Sequence, residues 1–435
     1  MYNTREILFW LKDFFMGSPV RRHYLEIKKA FETGINSENT TKQIKLLLNH
    51  AKLSTDFYGA YSSAVELSDF PVINKNIIKS QYDSFISRTY LKKKVKKNIT
   101  SGSTGTPLIV YKNNDKYLRH IAENIYLSEI IGYRLGSRLY YLRVWNKLNK
   151  KKPLIAFSQN IILEDASDLS DEYFKDLFSR LKNDKSRKSI LAFASTLEAF
   201  ASFLSRNAVK CRNLNINIII SISESLPEEA QKTLNLALSC PVICRYSNIE
   251  NGFVAQQCIN GDGEYHLNQS SFKIELLEMD SDNPVKIGEM GRIVITDLYN
   301  FAMPLIRYDT GDIAVLSERS ECGNPGPVFK RVEGRKVDFI SDTYGRLLSP
   351  HVITNTMWKY ASEVKQFQFI QKKENEYVLK LNCDNLRFGR DNELIDDLRF
   401  FLGPNAKISF EYVSEIPILS SGKRKKIINE AGQLC

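Results

Sequence analysis

The sequence predicts an α/β protein, a large layered domain followed by a smaller α+β unit, and three observations carry that prediction. Short apolar stretches alternate with amphipathic ones from residue 138 to residue 246, the pattern of strands and covering helices in a layered sheet. Within that range, 215–220 is aliphatic enough to be a strand covered on both faces, which argues mainly parallel pairing. At 435 residues the chain exceeds one core of ordinary size, which suggests two or three domains, and its C-terminal part holds apolar strands of its own.

In chain order, the first hundred residues read as mainly helical. Apolar residues recur at helical spacing over 24–31 and 40–53, with Lys42, Gln43 and Lys45 on the wet side. The phrase Phe70-Pro71-Val72-Ile73-Asn74-Lys75-Asn76-Ile77-Ile78 predicts a proline turn, a cap and a short helix. Leu108-Ile109-Val110-Tyr111 predicts a strand, and Tyr117, Ile121, Ile125 and Ile130 a helix that Gly132 breaks. Strands follow at 138–144, 189–193, 215–220 and 241–246, with helices at 173–181, 197–204 and 228–238 between them. A strand at 292–296 comes next, and the C-terminal part adds strands at 367–370, 377–381 and 408–412 and a helix at 393–401.

The formal charge of +11 concentrates in Lys92-Lys93-Lys94-Val95-Lys96-Lys97, Lys150-Lys151-Lys152 and Lys423-Arg424-Lys425-Lys426. None of these runs lies in a recognition helix or an aromatic-interleaved strand pair, so no specific nucleic-acid binding is expected. They read as solvated faces, two of them beside motifs where attraction for an anionic substrate would be useful. Seven scattered cysteines are the thiol usage of a reducing compartment rather than a disulfide framework. Cys240-x3-Cys244 with Cys258 has the residue types of a metal site but no further Cys or His at a compact spacing, so buried structural thiols are expected. The N-terminus has no secretory apolar core and no run of ~20 apolar residues occurs, so a cytoplasmic protein without a transmembrane segment is expected. Nothing in the composition sets an oligomeric state.

Chemistry concentrates in Ile99-Thr100-Ser101-Gly102-Ser103-Thr104-Gly105-Thr106-Pro107. Gly102 and Gly105 let the backbone turn its N–H groups inward, and the hydroxyls add donors, so the segment suits a phosphate; by composition alone it is equally a surface turn. A Walker A loop needs a lysine and a hydroxyl after its last glycine at a helix start, whereas Thr106-Pro107 and an extended run follow Gly105. A dinucleotide fingerprint needs three glycines opening a helix. Glu250 follows the strand 241–246, where open α/β sheets collect ligands; it suits a hard cation or a solvated turn. Asp312, behind Gly311, suits a pair of ribose hydroxyls or a charged β-turn.

Together these stretches resemble the adenylate-forming enzymes, in particular their phenylacetate–CoA ligase branch, to which capsular-polysaccharide adenylate-forming proteins also belong. Thr100 through Gly105 and Pro107 match the family's Thr-Ser-Gly-Ser-Thr-Gly-x-Pro loop, and Pro71-Val72-Ile73 with Lys75 resembles the segment ahead of it. Tyr246-Ser247-Asn248-Ile249-Glu250 is similar to Tyr-Gly-x-Thr-Glu, with Ser247 and Ile249 departing. Ser223-Glu224-Ser225 stands at the Gly-Gly-Glu stretch near adenine with both glycines replaced. His266-Leu267, Gly288-Glu289-Met290-Gly291, Met303-Pro304-Leu305, Arg307-Tyr308, Thr310-Gly311-Asp312, Gly334-Arg335 with Asp338, and Ser421-Gly422-Lys423 follow in family order.

The resemblance implies an AMP-forming ligase. A carboxylic acid would attack the α-phosphate of ATP, and the acyl group would pass to coenzyme A, or to an amine or hydroxyl in polysaccharide synthesis. Thr100, Ser101, Gly102, Ser103, Thr104, Gly105 and Thr106 would hold the phosphates, Thr104 acting in catalysis as well. Ser223, Tyr246, Asp312 and Arg335 would contact the nucleotide, Glu250 would ligate Mg2+, and Lys423 would touch the carboxylate and the α-phosphate. A hinge near 338–341 would separate a large domain, 1–338, from a small mobile lid, 339–435. Phe193-Ala194-Ser195-Thr196 and Tyr140-Tyr141 are candidates for an acyl pocket or for plain core packing. The reading from another class is a nonenzymatic basic protein on a degenerate scaffold, binding polyanions without chemistry.

Overall fold

A computed structural model describes residues 3–34, 37–100, 107–145, 150–207, 214–259, 263–318, 320, 322–323, 325–383, 388–417, 419 and 424–431. The chain divides into two compact units, Met1–Gly136 with Arg245–Val332, and Ser137–Cys244 with Glu333–Cys435.

The first unit opens on the helices Thr4–Phe15, Pro19–Thr33 and Ser37–Ser54. Asn3 starts the first by accepting the Glu6 N–H at 2.9 Å, and the second runs from a proline in its first turn to Gly34 at φ 81°. An antiparallel hairpin pairs Lys96–Ile99 with Ile109–Lys112 and leads into the helix Asn114–Glu129. A sheet then runs in the order Phe272–Leu277, Met290–Asp297, Tyr308–Ser317, Val328–Arg335, Tyr265–Leu267, Gly252–Gln257 and the second half of Val242–Asn248. Phe70, Ile73, Leu108, Val110, Met303, Leu305, Ile306 and Tyr308 share one core cluster. The proline turn, the strand after the hydroxyl–glycine loop and the Met-Pro-Leu stretch therefore fold onto each other, each large side chain contributing about 1.5–3 kcal/mol by burial.

Arg307 pins this junction. It is buried at φ 51°, a left-handed conformation that costs a non-glycine residue about 1–2 kcal/mol, and its surroundings hold it there. Its carbonyl accepts the Ile73 N–H at 3.0 Å, the Asp309 N–H reaches the Ile73 carbonyl at 2.7 Å, and its guanidinium donates to the Phe70 carbonyl at 2.9 Å.

In the second unit, Ile161–Asp165, Arg138–Arg143, Lys188–Phe193, Ile216–Ile222 and the first half of Val242–Asn248 line up in that order, every pair parallel. The helices Asp171–Asn183, Ala194–Arg206 and Glu228–Leu238 alternate with these strands, as the sequence predicts. The C-terminal part is a separate α+β fold with the sheet order Lys407–Tyr412, Glu376–Cys383, Val364–Lys373, Ile427–Asn429 and the helices Pro350–Trp358 and Asp391–Leu402. It has its own core, in which Leu394, Leu398 and Leu402 form one helical stripe against Phe369, Tyr377 and Leu379. The result is a large mixed α/β part and a smaller α+β part.

Three elements depart from the expectations. The helix Thr4–Phe15 leaves Ile7, Leu8, Leu11, Phe14 and Phe15 exposed, so its apolar residues mark no core-facing stripe in the sequence. Ile161–Asp165 is an edge strand, and Tyr265–Leu267 has only three residues, too short for any periodicity. Among the described residues no helix is long and apolar enough to cross a membrane.

Candidate active site

Ser101, Gly102, Ser103, Thr104, Gly105, Thr106 and Lys423 lie outside the described residues, but the neck of the loop is described. Thr100 is buried; its N–H donates to the Leu108 carbonyl at 2.9 Å, and its hydroxyl oxygen accepts the Leu108 N–H at 2.8 Å. The two bonds close the chain on itself at the loop's base. Lys75 Nζ donates to the same hydroxyl at 3.0 Å. Its place is fixed by Asn74, whose side chain accepts the Asn76 and Ile77 N–H groups at 2.9 and 3.0 Å and so starts the helix Lys75–Ser80.

Tyr246, Glu250 and Asp312 come together in the first unit. The Tyr246 hydroxyl donates to Asp312 Oδ2 at 2.7 Å, and the Asp312 N–H donates to Thr310 Oγ1 at 3.1 Å. The Tyr308 hydroxyl donates to Glu250 Oε1 at 3.3 Å. Burial first, then a neighbouring carboxylate, pushes both phenols well above the usual tyrosine range: Asp312 acts on Tyr246, and Glu250 and Asp312 on Tyr308. Both tyrosines therefore stay protonated donors, each holding one oxygen of a carboxylate that has further acceptor capacity. Because Tyr308 also bridges to Ile73, two residues from Lys75, the carboxylates and the loop's neck belong to one connected framework.

The turn that carries Glu250 is held from below. Lys112 Nζ donates to the Ile249 carbonyl at 3.0 Å while Ser247 and Ile249 face solvent. Burial, followed by the charge of Lys116, pushes the Lys112 ammonium down to about 8, against the pull of Asp297, Glu123 and Glu250. Next to Glu250, the fully buried Asn251 amide has no hydrogen-bond partner for either of its polar atoms among the described residues.

Ser223 and Arg335 lie in the second unit. Ser223 is exposed past the end of Ile216–Ile222 at φ 77°, so this stretch keeps a left-handed backbone where the resemblance has glycine. Its neighbour Glu224 accepts the Ser195 N–H at 3.3 Å. Arg335 is exposed at the end of Val328–Arg335. Asp338 pairs with Lys425 at 3.3 Å and Glu198 pairs with Lys426. Tyr140 spends its hydroxyl on Asp184 at 2.9 Å, and Phe193, Ala194 and Thr196 are buried, as core residues would be. Cys240 and Cys244 are buried thiols, Cys240 pushed up to about 12 by burial.

Sequence reasoning gave no chemical role to Lys75, Lys112, Tyr308 or Asn251. Lys75 and Tyr308 stand inside motifs read for their neighbours, whereas only the packing of the strand end against the 247–250 turn reveals Lys112.

Comparison with known proteins agrees with this architecture. The family described as the CapK C-terminal domain matches residues 340–430. The chain is 23% identical to Protein CapK of Staphylococcus aureus over 95% of its length and 94% of that relative. It is 28% identical to a phenylacetate-coenzyme A ligase of Thermus thermophilus over 33% of each chain. The solved structure of 2-hydroxyisobutyryl-CoA ligase, in the postadenylation state in complex with R3-HIB-AMP, matches with a TM-score of 0.74 at 15% identity, covering 92% of this chain and 91% of that one. The chain therefore has the fold of 2-hydroxyisobutyryl-CoA ligase, is similar along nearly its whole length to CapK, and is similar over a third of its length to a phenylacetate-coenzyme A ligase.

Proposed function

We propose that this protein is an AMP-forming ligase that activates a carboxylic acid with ATP, giving an acyl-adenylate and pyrophosphate, and then transfers the acyl group, with coenzyme A as the first candidate acceptor. The observation that carries this reading is the framework joining Glu250, Tyr308, Asp312 and Tyr246 to Lys75 at the neck of the hydroxyl–glycine loop. A phosphate-holding loop, a buried carboxylate for a cation and a second carboxylate for a ribose are the parts that adenylation requires.

The attacking acid is already a carboxylate near neutral pH, so no general base is needed and the protein's task is positioning and electrostatics. Residues Thr100 to Thr106 would hold the phosphates, Lys75 adding positive charge at the base. Asp312, oriented by Tyr246, has acceptor capacity for ribose hydroxyls, and Ser223 and Arg335 keep the nucleotide roles that the resemblance implies. Glu250 fits Mg2+, which takes one or two protein carboxylates together with substrate phosphates. When bound, Mg2+ would neutralise charge on the pyrophosphate leaving group. Lys425 and Lys426 are engaged by Asp338 and Glu198, which leaves the substrate role that the resemblance implies with Lys423, in a lid spanning 339–435, with 1–338 as the large domain.

The relatives' own names, two CoA ligases among them, support coenzyme A as acceptor over an amine or a hydroxyl. The test is ATP–pyrophosphate exchange across a panel of carboxylic acids, with and without magnesium. Carboxylate-dependent exchange is expected; release of ADP, or no exchange with any acid while ATP binds, would sink the reading.

A further inference from the structure

We propose that Cys258, His266 and Cys322 form a binding site for a thiophilic divalent cation, Zn2+ in the first place, in a part of the chain that has no role in the proposed reaction. One ligand atom from each residue lies within 4.8 Å of the other two, and His266 Nε2 is 3.0 Å from Cys322 Sγ. Tetrahedral zinc, at about 2.3 Å from sulfur and about 2.0–2.1 Å from imidazole nitrogen, holds its donors roughly 3.5–3.8 Å apart. The three donors reach that spacing by shifts of about an ångström or less, within the reach of side-chain rotation. Two thiolates and an imidazole are a donor set that selects zinc over magnesium or calcium.

The site is built by strand register rather than by sequence spacing. Gln257 pairs with Tyr265 and Gln256 with His266, which brings Cys258, one residue past the strand, beside the start of Tyr265–Leu267; its N–H reaches the Glu264 carbonyl at 3.3 Å. His266 also pairs with Val328, and the segment between Tyr308–Ser317 and Val328–Arg335 delivers Cys322. Ser320 organises that segment. Its hydroxyl donates to Glu264 Oε2 at 3.0 Å, accepts the Cys322 N–H at 3.2 Å, and lies 3.1 Å from Cys322 Sγ and 3.5 Å from His266 Nε2. Ser320 Oγ, or a water held by it, is thus the fourth donor, and the buried Glu264 carboxylate supports it from outside the donor shell. The bound cation would fasten two chain segments more than fifty residues apart, a cross-link for the strand ends where three sheet strands meet.

The test uses the full-length protein, reduced and stripped with a chelator, then titrated with Co2+. The expected result is a thiolate-to-cobalt charge-transfer band with tetrahedral ligand-field bands, saturating near one equivalent and abolished by Zn2+. Cys258→Ser, Cys322→Ser and His266→Gln should each weaken binding by ~10²-fold or more, and Glu264→Gln by roughly tenfold, while Cys383→Ser leaves it unchanged. Should a ligand variant fail to fold, alkylation of the wild type decides: Zn2+ should protect Cys258 and Cys322, but not Cys383, from iodoacetamide. No charge-transfer band in reduced wild type, a band that survives both Cys258→Ser and Cys322→Ser, or a Cys258–Cys322 disulfide whose reduction yields no metal uptake would each overturn the proposal.

Discussion

Replacing Lys112 with methionine isolates a single buried charge. Lys112 is 3% exposed, and burial lowers its pKa from 10.5 to about 8. Between those values the unfolded chain holds the lysine proton and the folded chain does not, so this group makes stability rise with pH. The difference amounts to about 3 kcal/mol in total, of which roughly 2 kcal/mol is recovered between pH 8 and pH 10. Below pH 8 both states are protonated and the contribution is flat. Lys112→Met lacks the proton, so the unfolding free energy of wild type minus variant should climb by about 2 kcal/mol from pH 8 to pH 10 in urea titrations followed by tryptophan fluorescence. Near pH 7 the variant is relieved of the buried charge but leaves the Ile249 carbonyl without its donor, at about 1–3 kcal/mol, so the two proteins should differ little there. Exchange activity should nevertheless fall, because the lost tether holds the turn that presents Glu250. A difference that stays constant from pH 7 to pH 10 would refute the reasoning, since it would mean the buried ammonium titrates as it does in the unfolded chain.

Four other substitutions test the site. Glu250→Gln keeps the shape but removes the anionic ligand, so magnesium-dependent adenylation should drop on the order of 10²-fold with the fold intact; unchanged single-turnover acyl-adenylate formation at limiting magnesium would remove Glu250 from the cation site. Asp312→Ala should weaken ATP binding by roughly 1–3 kcal/mol in calorimetry, and native affinity in a folded variant would leave Asp312 as a turn residue bonded to Tyr246. Ser223→Gly relieves a left-handed serine, and after the entropy glycine adds to the unfolded chain it should stabilise the protein by about 0.5–1 kcal/mol; destabilisation would show that the serine hydroxyl is needed. Lys423→Ala should leave ATP affinity nearly intact and slow adenylate formation by ~10²–10³-fold, while sparing transfer from a preformed acyl-adenylate; equal loss in both half-reactions would make it a general closure residue.

What the sequence could announce was whatever the chain encodes locally. Glu228–Leu238 was legible to the residue because its amphipathic period lies between proline and serine breaks; the strand expected at 215–220 was legible as a plain aliphatic run covered on both faces, and in the structure it spans Ile216–Ile222. Thr100, Tyr246, Glu250 and Asp312 were legible one by one through their motifs. Their connections were not, because the Tyr246–Asp312 and Lys75–Thr100 bonds arise from pairing between segments that share no local pattern. The cysteines show the same limit most sharply. Counting along the chain grouped Cys258 with Cys240 and Cys244, whereas the strand register sets it beside His266 and Cys322. Short pieces such as Tyr265–Leu267 carry too few residues to signal a strand, although much of that arrangement hangs on them.

The latch between Ile73 and Arg307 has a consequence for how the chain is made. The Arg307 guanidinium and the Phe70 carbonyl are separated by 237 residues, so at about 5–20 residues per second the ribosome needs roughly 10–50 s to deliver the partner after the first half has emerged. Throughout that interval Phe70, Ile73, Leu108 and Val110 lack Met303, Leu305, Ile306 and Tyr308, the other part of their core. The parallel strands from Arg138 to Cys244 pair over short sequence distances and are all translated before Arg307. All the strands of that parallel sheet are therefore available before the N-terminal core has its partners, and the apolar surface around Phe70 and Ile73 is expected to be a site for chaperones during synthesis.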